Sequence, residues 1–263
     1  AQALSTVMAG GVVAGVLGPQ LVTHTMDLSA PHTFAATYLA AAAVAVLSGL
    51  ILLGVRLPRP TAAPNTLQRP ISAILLQPRF LIAAVCGAVS YAAMNFLMTA
   101  APLAMRVCGI SQADANLGIQ WHVIAMYAPS FFTGRLIARW GAARIVALGL
   151  ALLGAAAAAG LAGVDVPHFW ASLALLGLGW NFGFIGASGL VLECHRPEEA
   201  AAVQARYDLI VFSTVAVGSF SSGGLLNALG WSAVLWVSIV PLLLAIAALA
   251  FEPRSRLAAP HNP

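Results

Sequence analysis

The sequence predicts an all-α, polytopic membrane protein, built as a bundle of about eight transmembrane helices. Of its 263 residues, 60% are apolar and only 8% are charged, whereas roughly 25% are charged in a typical soluble domain. A soluble fold of this size has too little interior to enclose so much apolar surface. Long charge-free runs recur along the whole chain, and the basic residues gather between alternate runs. We therefore expect lipid to solvate most of the protein.

Eight apolar windows have about the 20 residues that a helix needs to cross a bilayer. They span residues 4–23, 34–54, 80–101, 115–133, 145–163, 169–192, 209–226 and 231–251. No Asp, Glu, Lys or Arg lies inside any of them. A single early window would also suit a signal peptide, but the first window has no basic leader and seven more follow it.

The basic residues predict the orientation of these windows. All twelve are arginines, and eleven follow the second, fourth, sixth and eighth windows. They are Arg56, Arg59, Arg69 and Arg79, then Arg135, Arg139 and Arg144, then Arg196 and Arg206, and finally Arg254 and Arg256. Because short cytoplasmic loops are enriched in Lys and Arg, we expect both ends of the chain to be cytoplasmic, in an inner membrane.

Polar side chains are distributed with a period of three windows. The second, fifth and eighth windows consist almost entirely of Ala, Leu, Val, Ile and Gly. The pairs between them carry amides, hydroxyls and a histidine. This period is typical of a transporter built from three-helix repeats around a central cavity.

Two motifs resemble those of the major facilitator superfamily. The stretch 134–144 resembles its loop signature G-x-L-[AG]-D-R-x-G-R-K, with matches at Gly134, Leu136, Arg139 and Gly141 and with alanine in place of the aspartate. Gly18 and Pro19 resemble part of the G-x-x-x-G-P motif of proton-driven exporters. Three strings suggest a bacterial branch of the family: Gln-Trp-His (120–122), Ala-Pro-Ser-Phe-Phe-Thr-Gly (128–134) and Gly-Trp-Asn-Phe (179–182).

The resemblance covers essentially the whole chain and implies a domain organisation. The eight windows would be the fifth to twelfth helices of the usual twelve, so the chain would lack the first N-terminal helices of the same protein. Residues 1–54 would close the N-terminal bundle, 55–79 would form the proline-rich cytoplasmic central loop, 80–252 would form the C-terminal six-helix bundle, and 253–263 the cytoplasmic tail. The central loop would end in a short amphipathic stretch, Ile71 to Leu76.

His122 is the candidate for proton coupling. It lies midway along the fourth window, and it is the one side chain in the windows whose ordinary pKa lies near neutral pH. The alternative is a neutral histidine that is hydrogen-bonded to another helix, with Gln120 or a serine as its partner.

Five residues are candidates for the substrate cavity. They are Tyr91, Asn95, Gln120, Trp180 and Asn181. Tyr91 and Asn95 are four residues apart and share one helix face, and the resemblance implies that their helix and that of Trp180 line the cavity. An indole and amides could stack on and hydrogen-bond a planar organic solute. The alternative is ordinary hydrogen bonding between helices.

The cytoplasmic gate candidates are charged residues at the window ends. Glu193 directly follows the sixth window and Asp208 directly precedes the seventh, at the helix ends, while Arg135 and Arg139 lie in the neighbouring loop. The resemblance implies a bridge between Glu193 and Arg139 that closes the inner side; the alternative is a set of solvated interfacial charges. Gly179 and Gly183 have the spacing that lets membrane helices approach closely.

These observations together predict a secondary active transporter of a small organic solute, driven by protons, with no cofactor and no metal site. No ATP-binding motif, basic nucleic-acid-binding run or metal-type cysteine pair is present in the sequence. A non-transporting scaffold or a subunit of a larger complex is the alternative. An intramembrane serine protease is a remote one, since Gly186-Ala-Ser188-Gly189 resembles its motif but no later window contains a histidine base.

Overall fold

The computed structural model describes residues 2–55 and 70–251, and these residues form helices and no strand. The helices are α1 (Gln2–Thr25), α2 (Ala35–Leu53), α3 (Ile71–Leu75), α4 (Pro78–Val107), α5 (Gln112–Tyr127), α6 (Ser130–Trp140), α7 (Ala142–Ala162), α8 (Val166–Leu192) and α9 (Ala200–Ala250). Most of the predicted central loop and the predicted tail lie outside the described residues, as do Arg56, Arg59, Arg69, Arg254 and Arg256.

Within the described residues, five helical segments are long and apolar enough to cross a membrane. They are Ala35–Leu53, Pro78–Val107, Ala142–Ala162, Val166–Leu192 and Pro197–Ala250. The predicted all-α polytopic bundle is therefore confirmed. α1 occupies the first predicted window and the pair α5–α6 occupies the fourth.

The longest helical segment, α9, is a hairpin of two spans. Its 51 residues contain one residue with non-helical backbone, Gly230 (φ 80°, ψ 178°), a left-handed φ that glycine adopts without strain. Before Gly230, the Ser222 hydroxyl of α9 donates to the Phe96 carbonyl of α4. After Gly230, the Ala245 carbonyl of α9 accepts from the Cys86 thiol, which also lies on α4. The two parts therefore run in opposite directions along α4, as the seventh and eighth predicted windows require.

The fourth predicted window contains a proline kink, which we call the break, although Ala128 and Pro129 keep right-handed helical φ and ψ. α5 ends at Tyr127 and α6 begins at Ser130, because Pro129 has no N–H to donate and its ring crowds the preceding turn. The second piece then extends to Trp140. The loop signature is thus helical up to that residue, and the predicted loop is reduced to Gly141, whose φ of 84° again suits glycine.

Asp208 does not begin its helix, contrary to the sequence prediction. α9 starts at Ala200, two turns earlier, after a 3₁₀ turn at Pro197–Glu199. In that turn the Glu199 carboxylate accepts from the Arg196 backbone N–H at 2.8 Å. The charge-free window begins only after Arg206 and Asp208, although the helix includes both residues. The long side chain of Arg206 can reach polar surroundings from the membrane boundary, so the charge does not end the helix.

The helix ends define two ends of the bundle. At one end, the start of α4 contacts the end of α8 through the Arg79–Glu193 ion pair, and Gly189 of α8 packs near Ala142 at the start of α7. The arginines at these helix ends are Arg79, Arg139, Arg144, Arg196 and Arg206. We call this the arginine-rich end. Arg106 lies at the opposite end, where Asp165 caps α8; a hydrogen bond from His168 lowers the pKa of the Asp165 carboxyl.

α8 is the central helix of the bundle that α4 to α9 form, which we call the C-terminal bundle, and it packs through glycines. It contacts α4, α5 and α7. A Cβ placed on Gly179 would lie 2.9 Å from the Leu153 backbone nitrogen, and one on Gly149 of α7 would collide with the Gly183 backbone. Since real Cβ atoms essentially never come that close to backbone atoms, these positions hold glycine because α7 and α8 are nearly in backbone contact.

This packing predicts the effect of single methyl groups on α7. We expect Gly149→Ala to destabilise the protein by about 1–3 kcal/mol, because the backbone of Gly183 has no room to retreat. Gly154→Ala on the same helix is the matched control, since its Cβ would meet nothing within 4 Å. Thermal unfolding in detergent measures both; equal midpoints for the two variants would contradict the packing.

Candidate solute-binding site

An aromatic cluster joins four helices of the C-terminal bundle. It consists of Tyr91 on α4, Tyr127 on α5, Trp180 and Phe184 on α8, and Tyr207 and Phe212 on α9. The centre of the cluster is Tyr91, whose ring meets Trp180, Phe184 and Phe212 edge-on at centroid distances of 5.4, 5.1 and 5.5 Å. Such edge-to-face pairs are the arrangement that aromatic quadrupoles favour.

The aromatic cluster is enclosed on one side and open on the other. Trp180 is 7% exposed, and its indole Nε1 has no hydrogen-bond partner among the described residues. Tyr91 is half-buried and Phe212 is 51% exposed. The open side of the cluster thus presents the rings of Tyr91 and Phe212, and the cluster also contains the buried indole N–H of Trp180.

Asn95 lies one turn beyond Tyr91 on the same helix and is also half-buried. Its Nδ2 donates to the Ser219 hydroxyl of α9. The predicted pair therefore shares one region of the α4 surface, next to α9, as its spacing requires.

Asn181, predicted to line the cavity, is fully buried instead. Its Nδ2 donates to the Met126 carbonyl at 2.6 Å and to the Ser130 hydroxyl at 2.7 Å. Its Oδ1 accepts from the Thr133 hydroxyl at 2.6 Å. With its amide committed to these bonds, Asn181 presents no polar group to a cavity in this structure.

His122 is also fully buried, between α5 and α8. Its Nδ1 lies 2.8 Å from the Leu173 carbonyl, which can only accept, so Nδ1 carries a proton and donates. Nε2 has no partner among the described residues. The bond across helices that sequence analysis allowed as an alternative is present, but with a backbone carbonyl as its acceptor.

Gln120 belongs to a seam between α1 and α5, not to the aromatic cluster. In this α1–α5 seam, Gln20 donates to Gln120 at 2.8 Å and Asn116 donates to Thr23 at 2.9 Å. Further along the seam, Gly11 and Gly15 of α1 leave room for the side chains of Tyr127 and Val123, respectively, on α5. A Cβ on Gly18 would meet nothing within 4 Å, and Pro19 is half-buried within α1, so the close approach is made by other glycines than the motif suggested.

At the arginine-rich end, Glu193 forms an ion pair with Arg79 at 2.5 Å. The predicted partner, Arg139, lies exposed on α6, as do Arg135 and Gly134. Asp208 accepts from Gln204 on its own helix at 2.8 Å. The start of α4 lies closer to Glu193 than the sequence suggested, because Arg79 is the second residue of that helix rather than part of a loop.

Sequence analysis missed Phe184, Tyr207 and Phe212 of the aromatic cluster, as well as Gln20 and Thr23 of the α1–α5 seam. The four-residue spacing of Trp180 and Phe184 was a usable signal for a shared aromatic face. Groups of three or more His, Cys, Asp or Glu residues that could hold a metal ion do not occur among residues 2–55 and 70–251. The Ser188 hydroxyl donates to the Phe184 carbonyl of its own helix at 2.9 Å.

Comparison with known proteins decides the family. The sequence profile of the Major Facilitator Superfamily matches residues 83–263. The chain belongs to the major facilitator superfamily. The predicted family is confirmed, and membership in a transporter family excludes the protease alternative.

The relatives of this chain include a riboflavin transporter. That protein, RfnT of Brucella anthropi, is 46% identical over 98% of this chain and 66% of its own length. The MFS-type transporter YddS of Bacillus subtilis is 29% identical over 85% of this chain and 55% of its own length. The chain thus spans about two thirds of the first relative and just over half of the second.

Proposed function

We propose that this chain is part of a secondary transporter that moves a small planar aromatic solute of the flavin class across a membrane by alternating access. The aromatic cluster is the observation that carries the proposal. Similarity to a riboflavin transporter at 46% identity supports the solute class, and membership in the superfamily supports the transport activity.

The aromatic cluster suits a flat heteroaromatic ring. Tyr91 and Phe212 offer an edge and a face at its open side, and each such aromatic contact contributes about 0.5–1.5 kcal/mol beyond burial of area. The Trp180 N–H can donate to a ring carbonyl once a solute separates the rings around it. Asn95 adds an amide on the same region of α4.

In this proposal the solute path lies between the C-terminal bundle and an N-terminal bundle to which α1 and α2 belong. The α1–α5 seam is where the two bundles touch in the described residues. Its contacts are glycine packing and hydrogen bonds between neutral groups, which can break and reform as the bundles rock. Further N-terminal helices would complete the cavity.

Proton coupling through His122 is part of the proposal. Nε2 is a basic nitrogen with no partner among the described residues, and Nδ1 is held by the Leu173 carbonyl. Water reaches this nitrogen only if α5 and α8 separate locally in another state of the cycle. Protonation of His122 would then depend on which side of the membrane is open.

Orientation in the inner membrane follows the arginines. We propose that the arginine-rich end is cytoplasmic and that the opposite end, with Arg106 and Cys108, faces outward. A scaffold or subunit role remains the alternative function, and it predicts neither saturable solute binding nor uptake.

Riboflavin binding and uptake test the aromatic cluster. We expect Phe212→Leu in the full-length protein to weaken riboflavin binding about 2- to 12-fold, because it removes one aromatic contact from an already exposed position. Phe220→Leu is the matched control on the same helix; Phe220 is 89% exposed and has no ring contact among the described residues. Quenching of flavin fluorescence and proteoliposome uptake provide the two measurements. Absence of saturable binding by the unmodified protein would favour the scaffold.

Substitution of His122 separates coupling from structure. His122→Asn keeps a side-chain donor for the Leu173 carbonyl but cannot titrate near neutral pH. We expect it to lose the uptake stimulated by an imposed pH gradient while retaining solute counterflow. If gradient-driven uptake persists in this variant, the coupling group lies elsewhere.

Native cysteines report the orientation. Cys108 is exposed beside the end of α4, whereas Cys86 and Cys194 are buried. We expect a membrane-impermeant maleimide to label intact cells through Cys108, and Cys108→Ser to abolish that labelling. Labelling that requires permeabilised cells would reverse the proposed orientation.

A further inference from the structure

The break between α5 and α6 leaves backbone groups that need partners. Ala128 still donates to the Ile124 carbonyl, but Pro129 has no N–H. Phe131 donates to the Ala128 carbonyl instead of that of Tyr127, so the regular pattern of helical hydrogen bonds is interrupted at Pro129. In a membrane an unpartnered backbone group is costly, because lipid offers no hydrogen bonds. Breaks in such helices persist only where neighbouring protein groups replace the lost bonds.

A single side chain on α8 supplies partners on both sides of the break. Asn181 donates to the Met126 carbonyl of α5 and to the Ser130 hydroxyl at the start of α6. It accepts from Thr133, one turn into α6. Three of its four hydrogen-bonding positions are therefore used, two donors and one acceptor.

The two helices on either side of the break face different neighbours. α5 forms the α1–α5 seam and is fixed on α8, where a Cβ on Gly118 would lie 2.9 Å from the side chain of Leu173. α6 carries Arg135 and Arg139 to the arginine-rich end. The angle between α5 and α6 therefore determines where the arginines of α6 lie relative to the α1–α5 seam.

We propose that Asn181 is a positioning residue: its buried amide holds the break at Pro129 and so sets the angle between the seam helix α5 and the arginine-bearing helix α6. Release of these bonds lets α6 swing while α5 remains on α8. Two of the strings noted in the sequence, 128–134 and 179–182, meet at this point. The consequence for transport rests on the proposed function, whereas the angle itself does not.

Spin labels at two exposed positions measure this angle in the full-length protein. Labels at Trp121→Cys on α5 and Ala138→Cys on α6, in a Cys108→Ser background, report the distance across the break. We expect one narrow distance distribution in the parent. In Asn181→Ala, the population with a changed label-to-label distance should rise about 20-fold relative to the population with the parent distance, since the substitution removes three interhelical hydrogen bonds.

Ser172→Ala is the matched control on the same helix. Ser172 is also buried and donates to the Ala156 carbonyl of α7 at 2.8 Å, but it does not bond α5 or α6 in this structure. We expect it to leave the distance distribution unchanged. The same distribution in Asn181→Ala and Ser172→Ala would overturn the proposal.

A milder variant keeps the test decisive if Asn181→Ala does not fold. Ser130→Ala removes one of the three bonds and should shift the balance about 3-fold; no shift would overturn the proposal. The distances are measured without solute, so a protein that transports nothing would refute the proposed function and leave this test intact. Conversely, a released angle with wild-type uptake would show that Asn181 does not position the transport cycle.

Discussion

The bundle depends on the close approach of helix backbones along the glycine face of α8. Lipid tails are as apolar as leucine, so helices in a membrane gain little from hiding apolar side chains and must associate through packing and polar contacts. Gly179 and Gly183 allow α7 to approach almost to backbone contact. This central position of α8 brings Trp180 to the aromatic cluster and Asn181 to the break in the α5–α6 pair.

Much of the fold could be predicted from the sequence because the bilayer imposes a length and an absence of charge on each span. The windows for α2, α7 and the second part of α9 lie close to the observed helices, since almost all of their side chains are apolar and none is charged. Windows flanked by charged residues were too short: α9 begins two turns before its window, at Ala200. A charge-free window marks only the part of a helix that lies in the hydrocarbon core of the bilayer. The helix itself continues into the interface, where long charged side chains can reach water.

The candidate site was less predictable, because residue type does not reveal which way a helix turns each side chain. Tyr91 and Trp180 do meet, and their shared cluster follows from aromatic residues at helical spacing. Asn181 and Gln120 are also polar residues within the predicted windows, yet in the structure their side chains form hydrogen bonds to other helices. Nothing in the sequence states which neighbouring helix offers a free carbonyl. Likewise, Glu193 pairs with Arg79 because α4 begins two residues earlier than its apolar window and so includes Arg79.

The α1–α5 seam has a consequence for energetics. Its two described side-chain bonds join uncharged groups, and hydrogen bonds of this kind inside membranes average about 0.6 kcal/mol each. Together they amount to roughly twice the thermal energy at room temperature. Ionic strength would hardly alter these bonds, and they add only a little to the close packing of Gly11 and Gly15 against α5. In the proposed transport cycle, separating α1 from α5 would therefore cost little for these two bonds, and the packing at Gly11 and Gly15 would set most of the barrier.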